Sequence, residues 1–379
     1  MLTKADFLLR DDIHFLNHGS FGACPRELLD VQRSWQERLE HQPVLFHREL
    51  ADLMQRARSA IADYLGAQPT DLVYVTNSTF GVSMAAAMIA PMLAPGEEVL
   101  TTDHEYGACL RAWRHHLQGT GAEIVEACLP LPAPSMDEIE ELIWSSVTSR
   151  TRVLFLSHVT SPTAIRLPVE NLCARARERG ILTVIDGAHA PAHLPLHLHT
   201  LNADVYTGNF HKWMCTPKGS AFLWVHPSLH RAVQPLIVSW GNLIPTAGDG
   251  SFVDDVEYLG TRDVSPFLTV PEALQWMHRN EWDLVQMEAR DLRDYGMHML
   301  LRKGLAACSD WRADELQMGA VLLPSSTDVQ WLKNELYNTH RIEVVVHRVF
   351  DHAVLRFSTH AHTSKGDLDA LSMALNRLL

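Results

Sequence analysis

Lys212 is the residue of this sequence whose type and position best suit covalent chemistry. It lies in the run NFHKW (209–213), directly after a predicted strand. Lysine is rarely buried without a partner, and desolvation lowers the pKa of an amine, which makes it a nucleophile able to form an imine. The alternative is a surface lysine whose stem packs on Trp213. Among the six lysines of the chain the nearest rival is Lys218, which lies in a Pro-Lys-Gly turn where we expect a solvated side chain.

Two further charged residues lie in predicted strands. Asp186 ends the apolar run ILTVID, and a carboxylate there is costly to bury unless it is paired. It either caps the next helix or pairs with a cation, which is a metal ion, an arginine or a protonated ring nitrogen. Arg356 lies in the run AVLRFST, where strand alternation places it on the face of Val354 and Ser358. It either binds a substrate carboxylate through two hydrogen bonds or forms an internal salt bridge.

Small polar residues follow the first predicted strand, in the run TNST (76–79). Their hydroxyl groups and the free backbone N–H groups of a helix start suit a phosphate, although the same residues are also the usual helix caps. A phosphate site, a strand-end aspartate, an imine-forming lysine and a carboxylate-binding arginine together describe one cofactor and its substrate. The combination predicts pyridoxal 5'-phosphate (PLP) and an amino-acid substrate.

The fold must bring these scattered residues together. Seven apolar, β-branched runs alternate with helical patterns, which is typical of a mostly parallel sheet covered by helices on both faces. Ligands bind beyond the carboxyl ends of such strands. After about residue 227 the rhythm changes to a long helical segment, 271–305, and a smaller α+β unit. We therefore predict an α/β fold with an N-terminal segment (1–20) near the active site, a large domain with a seven-stranded sheet (21–265) and a small C-terminal domain (266–379).

The overall composition excludes several other classes of protein. The chain has 379 residues, with 32 Lys+Arg against 45 Asp+Glu and a net charge of −13, which disfavours nucleic acid as a partner. Hydrophobic residues make up 46%, as in ordinary globular proteins, and no apolar run reaches the roughly 18 residues of a membrane span. The six cysteines form no C-x-x-C pair and the N-terminus does not resemble a signal peptide. These features predict a cytoplasmic location with reduced thiols.

Taken as whole motifs, the sequence resembles the fold-type-I PLP enzymes of the class V aminotransferase group, and within it the isopenicillin N epimerase-like branch. The spacing of Asp186-x-x-His189 and the later pair His211-Lys212 carries the resemblance. The supporting stretches run through nearly the whole chain in the expected order: FLNHGSFGACP (15–25), YVTNST (74–79), TTDHEYGA (101–108), SHVTSPTAIRLPV (157–169), DGAHAP (186–191), GNFHKWMCTPKG (208–219), LGTRD (259–263) and LRFSTHAHT (355–363).

The resemblance implies a role for each matching residue. Lys212 would hold PLP as a Schiff base and move the Cα proton, while Asp186 would bind the pyridinium nitrogen. His189 would lie near the 3-hydroxyl of the ring and Tyr106 would stack on it. The phosphate would be bound by Ser78, Thr79, Asn209 and His211, with Asn77 beside them and Thr261 supplied by the other subunit of a homodimer. The substrate carboxylate would be held by Arg356, in a pocket lined by Asn17, His18, Gly19 and Ser161.

Several reactions remain open at this point. Epimerisation at Cα, elimination of a β or γ substituent such as sulfur, and transamination all begin with the same proton loss from the substrate. Cysteine desulfurases of this group carry a nucleophilic cysteine on a loop shortly before the carboxylate-binding arginine. This chain has no cysteine between Cys308 and Arg356, which disfavours that reaction. In the epimerase-like branch a Tyr-Asn pair often follows the carboxylate-binding arginine, whereas this chain has His362-Thr363, so its side-chain pocket departs from that pattern.

A metal-binding protein is the alternative interpretation of the many histidines. The chain has 22 of them, and the spacing of His193, His197 and His199 could offer two imidazoles to zinc. No acidic residue stands at H-E-x-x-H spacing and Pro195 interrupts a helix there, which disfavours a metal hydrolase. A catalytically inactive scaffold is also disfavoured, because the lysine, the aspartate and the arginine described above are all present.

Overall fold

The computed structural model of the chain describes residues 2–241 and 252–379. Its strands are β1 (His14–Phe15), β2 (Leu72–Val75), β3 (Glu98–Thr102), β4 (Glu123–Ala127), β5 (Thr151–Ser157), β6 (Leu182–Asp186), β7 (Val205–Asn209), β8 (Ala221–Val225), β9 (Ala306–Ala307), β10 (Met318–Leu322), β11 (Ile342–Glu343), β12 (Val345–Val349) and β13 (His352–Ser358). Its α-helices are α1 (His18–Phe21), α2 (Arg26–His41), α3 (Pro43–Leu65), α4 (Ser78–Ile89), α5 (Gly107–His116), α6 (Met136–Ser145), α7 (Val169–Glu178), α8 (Leu198–Leu201), α9 (Phe252–Glu257), α10 (Ser265–Leu268), α11 (Val270–Arg279), α12 (Trp282–Leu301), α13 (Val329–Asn338) and α14 (Lys365–Leu378).

Seven strands form one large sheet in the order β2-β8-β7-β6-β5-β3-β4. Strand β8 runs antiparallel to both of its neighbours and the other pairs are parallel. The inner strands are buried along nearly their whole length, as their continuous apolar runs require, whereas the edge strand β4 is buried only at its last residue. The predicted fold class, an α/β protein with a mostly parallel seven-stranded sheet, is confirmed.

The register of the sheet brings the ends of its central strands together. Ser157 at the end of β5 lies beside Asp186 at the end of β6, and Asp186 lies beside Thr207 of β7. Strand β2 is antiparallel to β8, which is itself antiparallel to β7, so β2 and β7 run in the same direction. The carboxyl end of β2, which is followed directly by α4, therefore lies at the same edge of the sheet as Asp186.

Two helical predictions differ from the structure. The apolar pattern of the sequence predicts a helix over residues 51–65, but helix α3 begins at Pro43, with proline in the first turn, where it is tolerated. The sequence pattern hides this first turn because Val44 and Leu45 are exposed and do not continue the buried stripe of the helix. The segment 271–305 is divided into α11 and α12 by Asn280 and Glu281, and the positive φ of Glu281, 50°, interrupts the helical path.

The second sheet is antiparallel, in the order β12-β13-β10-β9. Alternation along β13 divides its side chains between two cores. Leu355 and Phe357 pack with residues of α12 and α14, whereas Val354 belongs to the core of the large sheet. Arg356 shares the face of Val354, as the alternation predicts, so it is directed toward the large sheet.

The N-terminal segment is tied to the C-terminal part of the chain, because β1 pairs in parallel with β11, His14 opposite Ile342. The domain boundaries at residues 20 and 265 stay a prediction. Within the described ranges, no helix is both long enough and apolar enough to cross a membrane.

Candidate active site

A cavity of about 430 Å³ opens where the strands of the large sheet end. Ten of the predicted site residues line it: Asn77, Ser78, Thr79, Tyr106, Ser161, Asp186, His189, Asn209, His211 and Lys212. Thr76, from the predicted run TNST, lines it as well, and the remaining lining residues were not predicted: Ser20, Phe21, Ser157, Val159, Ala188, Lys218 and Gly219. The fold thus gathers residues from positions 20 to 219 of the chain around one space.

The amine of Lys212 lies at this cavity in surroundings that make it less basic than a free lysine. Burial, and secondly the charge of Arg356, lower the pKa of Lys212 to about 8. Its Nζ lies 3.2 Å from Nε2 of His189. The indole of Trp213 can only donate, and it donates to Nδ1 of His189 at 3.3 Å, so a neutral His189 carries its proton on Nε2. Nε2–H can then donate to the lone pair of the Lys212 amine.

Asp186 is buried with few polar partners. Its carboxylate accepts hydrogen bonds from the backbone N–H of Ala188 at 3.0 Å and from the thiol of Cys109 at 3.3 Å. Burial raises the pKa of Asp186 above its usual range. No Lys, Arg or His of the described residues forms an ion pair with it. Of the partners predicted for Asp186, the structure therefore leaves room for a protonated ring nitrogen.

The start of α4 contains both a helix cap and polar groups free to bind a ligand, the two possibilities that its sequence offers. Asn77 is an ordinary N-cap, because its Oδ1 accepts the backbone N–H of Phe80 at 2.9 Å. The backbone N–H of Ser78 donates to Oδ1 of Asn209 at 2.9 Å, which joins β7 to the helix. The hydroxyl of Ser78, in contrast, is buried and has no hydrogen-bond partner among the described residues. His211 completes this side of the cavity, and burial lowers its pKa to about 4.

Arg356 is buried next to the cavity and is 3% exposed. Its Nη1 donates to the carbonyl oxygen of Ser161 and also lies 3.3 Å from the Ser161 hydroxyl. Its Nη2 donates to the hydroxyl of Ser20 at 2.9 Å and to Oδ1 of Asn17 at 3.5 Å. No carboxylate of the described residues pairs with it, so the internal salt bridge considered from the sequence does not form there. All its partners are neutral, which leaves the positive charge of the guanidinium available to a substrate carboxylate.

Five predicted residues do not line the cavity: Arg356, described above, Asn17, which accepts a hydrogen bond from it, and Thr261, Gly19 and His18. Thr261 is exposed and lines a separate hollow of about 240 Å³. Gly19 is packed behind the cavity, where an added Cβ would lie 2.8 Å from Sδ of Met318, and its N–H donates to the Ser358 hydroxyl at 3.0 Å. His18 is fully buried and its Nε2 lies 3.0 Å from the backbone carbonyl oxygen of Lys212.

Two lining residues could have been found from the sequence. Ser20 and Phe21 continue the motif that contains Gly19, so extending that motif by one turn of helix α1 would have included them. Lys218 was expected to be solvated, and the residue is indeed exposed. It nevertheless lines the cavity, and its amine donates to the carbonyl of Gly22 at 2.8 Å.

The histidines proposed as zinc ligands are arranged differently. Both ring nitrogens of His193 are engaged, Nδ1 with the carbonyl oxygen of His189 at 2.8 Å and Nε2 with the N–H of Gln317 at 2.7 Å. His193 is buried and stacked on Trp213, whereas His197 and His199 are exposed. Over residues 2–241 and 252–379, the only three metal-capable side chains that approach one another closely are His18, His360 and His362.

The buried histidines should make the protein sensitive to acid. Burial lowers the pKa of His193 and of His360 to about 3. In the unfolded chain each imidazole takes up a proton below about pH 6.5, whereas in the folded protein it stays neutral. Their contribution to stability is therefore complete above pH 6.5 and is lost as the pH falls from there toward 3. Within that pH range each of the two histidines lowers the free energy of unfolding by about 1.4 kcal/mol per pH unit.

We expect the free energy of unfolding, measured by urea denaturation, to fall steeply between pH 6.5 and 4. In His360→Leu the free energy of unfolding should depend less steeply on pH, by the equivalent of about one proton taken up on unfolding, because one buried imidazole is removed. The control is His199→Gln, which changes an exposed histidine and should leave the slope unchanged. Equal slopes in wild type and His360→Leu would contradict the assignment of a neutral buried imidazole.

Comparison with known proteins gives a consistent picture. The family model for aminotransferase class-V matches residues 36–371. The chain is 34% identical to the isopenicillin N epimerase of Amycolatopsis lactamdurans, over 96% of this chain and 94% of the relative. It is 33% identical to the isopenicillin N epimerase of Streptomyces clavuligerus, over 99% and 97% of the two chains. A putative L-cysteine desulfhydrase of Oryza sativa is 30% identical over 73% of this chain and 59% of the relative.

Among solved structures, the cystine C-S lyase C-DES has a similar fold. A mutant form of C-DES, with glycine covalently linked to the PLP cofactor, superimposes with a TM-score of 0.85 at 18% identity, covering all of both chains. The similarity extends over the large sheet and the C-terminal unit alike.

Proposed function

The chain belongs to the aminotransferase class-V family, and from that premise we propose that it is an epimerase or racemase acting at Cα of an amino-acid-type substrate. It is a PLP-dependent enzyme with the fold of type I. The observation that carries the proposal is the similarity to two isopenicillin N epimerases over at least 94% of each relative. The L-cysteine desulfhydrase of Oryza sativa is matched over a smaller share of its length.

The residues around the cavity fit PLP. Among the described residues the buried Ser78 hydroxyl has no partner, and it lies at a helix N-terminus, where a phosphate is favoured. The buried carboxylate of Asp186 accepts from a thiol and a backbone N–H in the described part of the chain, and a protonated ring nitrogen would give it a charged partner. Lys212 lines the same cavity as both residues. We propose that Ser78, Asp186 and Lys212 hold the phosphate, the ring nitrogen and the reactive carbon of the cofactor.

The proposed reaction uses the residues of this chain as follows. When bound, PLP supplies an electron sink that makes the Cα–H bond of the substrate acidic. Arg356 binds the substrate carboxylate and so orients Cα. Lys212 takes the proton from Cα onto Nζ, and because burial lowers the pKa of this amine to about 8, more of it is in the neutral, basic form at physiological pH than in an exposed lysine. A water molecule protonates Cα on the opposite face while Lys212 releases its proton to solvent, which completes the inversion with no net change in atoms.

Cysteine desulfurase chemistry has no support in the cavity. It requires a nucleophilic cysteine, and no cysteine lines the cavity among the described residues. Five of the six cysteines are buried and only Cys128 is exposed. We expect Cys128→Ser to keep wild-type turnover and to remove the fast reaction of the native protein with a thiol reagent such as DTNB. Loss of turnover in this variant, with folding intact by circular dichroism, would argue for thiol chemistry.

A C–S lyase is the second candidate, favoured by the similarity to L-cysteine desulfhydrases. The two reactions are separated by incubating the holoenzyme in D₂O with a panel of L-amino acids, cysteine included. An epimerase incorporates deuterium at Cα and forms the D-isomer without keto acid. A lyase releases pyruvate and sulfide from cysteine. Pyruvate formation without any D-isomer from the panel would overturn the proposed epimerisation.

We also propose that the enzyme is a homodimer. Thr261 lies outside the cavity of its own chain, in a hollow lined also by His47 and Arg262, as expected if it serves a neighbouring site. The exposed apolar residues Val44 and Leu45 lie at the start of α3, the same helix that carries His47. Light scattering of the purified protein tests the dimer directly, and a monomer would contradict it. The cytoplasmic location stays a prediction.

A further inference from the structure

Three buried histidines join distant parts of the chain just behind Lys212. We call His18, His360 and His362 the histidine cluster. His18 comes from the N-terminal segment, and the other two follow β13, the strand that carries Arg356. Nδ1 of His18 lies 3.1 Å from Nε2 of His362, and the ring of His360 stacks on that of His18 with centroids 3.9 Å apart. All three are at most 5% exposed, and none lines the cavity.

The hydrogen-bond partners of His18 determine which of its ring nitrogens carries the proton. The backbone carbonyl of Lys212 can only accept, so Nε2 of His18 must carry the proton that it donates at 3.0 Å. The backbone N–H of Ala23 donates to Nδ1 of His18 at 3.3 Å, which makes Nδ1 an acceptor. His362 must then donate from its Nε2. The result is a chain of donors from His362 to His18 to the Lys212 carbonyl, with every ring neutral.

A metal ion is a weaker explanation for the cluster. Both ring nitrogens of His18 already have protein partners, Lys212 on one side and Ala23 with His362 on the other. A metal on Nδ1 would displace the N–H of Ala23 and leave it buried without an acceptor, which is costly. The stacked arrangement of His18 on His360, 10° from parallel, is explained by ring packing alone.

The segment that contains His18 is in contact both with the backbone near Lys212 and with the side chain of Arg356. Gly22 lies against the backbone just before Lys212, and an added Cβ there would be 2.1 Å from the His211 carbonyl oxygen. On the other side of the same short helix, α1, Ser20 and Asn17 accept hydrogen bonds from Arg356. The segment from Asn17 to Gly22 therefore touches the backbone at Lys212 and the side chain at Arg356.

We propose that His18, supported by His362, is a positioning residue that fixes the backbone of Lys212 and thereby the place of its amine relative to Arg356. The inference rests on the proposed role of Lys212, but it holds for any reaction at Cα. If the backbone of Lys212 were displaced, the phosphate of PLP would still be bound by Ser78, which lies on a different element, α4. The amine of Lys212 would then reach the cofactor and the substrate Cα less often.

The test compares His18→Phe with His18→Gln. Glutamine can donate to the Lys212 carbonyl and accept from Ala23, whereas phenylalanine keeps the ring volume but loses both bonds. For each variant, PLP is added to the apoprotein and the rise of the visible absorbance of the lysine–cofactor bond is followed by stopped flow. We expect roughly 10- to 100-fold slower bond formation and a similar fall in kcat for His18→Phe, with KM little changed, and substantial recovery in His18→Gln.

Two further variants keep the test informative. His360→Leu removes a ring of the same cluster that makes no bond to Lys212, so we expect lower thermal stability with an unchanged rate of bond formation. His362→Phe removes only the support for His18, and we expect a smaller effect than in His18→Phe. It serves as the test variant if His18→Phe does not fold.

The proposal is overturned if His18→Phe, or His362→Phe in its place, forms the lysine–cofactor bond at the wild-type rate. It is also overturned if phenylalanine and glutamine at position 18 behave alike, or if purified protein contains a stoichiometric metal that His362→Phe loses. Failure of the wild-type protein itself to form a borohydride-sensitive visible band would point instead to a failure of the proposed function. The two outcomes are therefore distinguishable.

Discussion

Lys212→Ala is expected to lower kcat by roughly 10⁴-fold while the variant keeps its fold and still binds PLP. The amine has two proposed tasks at one atom, since Nζ attaches the cofactor and then carries the Cα proton. Removing it loses the base that burial holds at a pKa of about 8. PLP binding should persist because the phosphate and ring-nitrogen contacts come from Ser78 and Asp186, on α4 and β6.

The measurement pairs steady-state turnover with borohydride reduction of the holoenzyme. In wild type, reduction should fix the cofactor on a peptide containing Lys212, and in Lys212→Ala it should fix nothing. Lys218→Ala is the matched control, because it also removes a lysine that lines the cavity, and it should retain the label on Lys212. Label found on Lys218 in the wild-type protein would contradict the assignment. Methylamine should restore part of the activity of Lys212→Ala, since a small amine fits the space left by the side chain.

The core of the site could be predicted because it depends on strand direction. Asp186 and Asn209 end β6 and β7, which are neighbouring parallel strands, so their side chains meet at one edge in any sheet of this kind. The alternation of β13 likewise determined the face of Arg356. These are local properties of the sequence, and a period of two residues or the end of an apolar run is enough to identify them.

Contacts between distant segments could not be predicted in the same way. The approach of His18 to Lys212 joins positions 194 residues apart, and it depends on how the N-terminal segment crosses the large sheet. Lys218 lies in a Pro-Lys-Gly turn whose sequence is typical of the surface, yet its amine donates to the carbonyl of Gly22. Two of the neutral partners of Arg356, Asn17 and Ser20, also come from the other end of the chain. The periodicity and spacing of residues in the sequence give no information on contacts between segments that are so far apart in the chain.

Arg356 provides the second large expected effect, because it is a buried cation without an anionic partner of its own among the described residues. We expect Arg356→Lys to lower kcat/KM for an α-amino acid by roughly 30- to 4,000-fold, which corresponds to about 2 to 5 kcal/mol, mainly through KM. Lysine keeps the charge but has a single ammonium group in place of the planar fork that binds both carboxylate oxygens. Its amine would also have to replace the contacts to Ser161, Ser20 and Asn17 with fewer donors.

A cycle with a second substrate separates carboxylate binding from damage to the fold. The amide of the same amino acid has no carboxylate, so it should react slowly with the wild-type enzyme and lose little further in Arg356→Lys. If the variant instead loses the same factor with the amide as with the acid, Arg356 acts on the structure of the site rather than on the substrate. Ser161→Ala is the matched control, because it removes only the 3.3 Å contact to its hydroxyl and leaves the backbone carbonyl contact in place. We expect it to change kcat/KM by less than Arg356→Lys does, since it removes one long contact and keeps the guanidinium that binds the carboxylate.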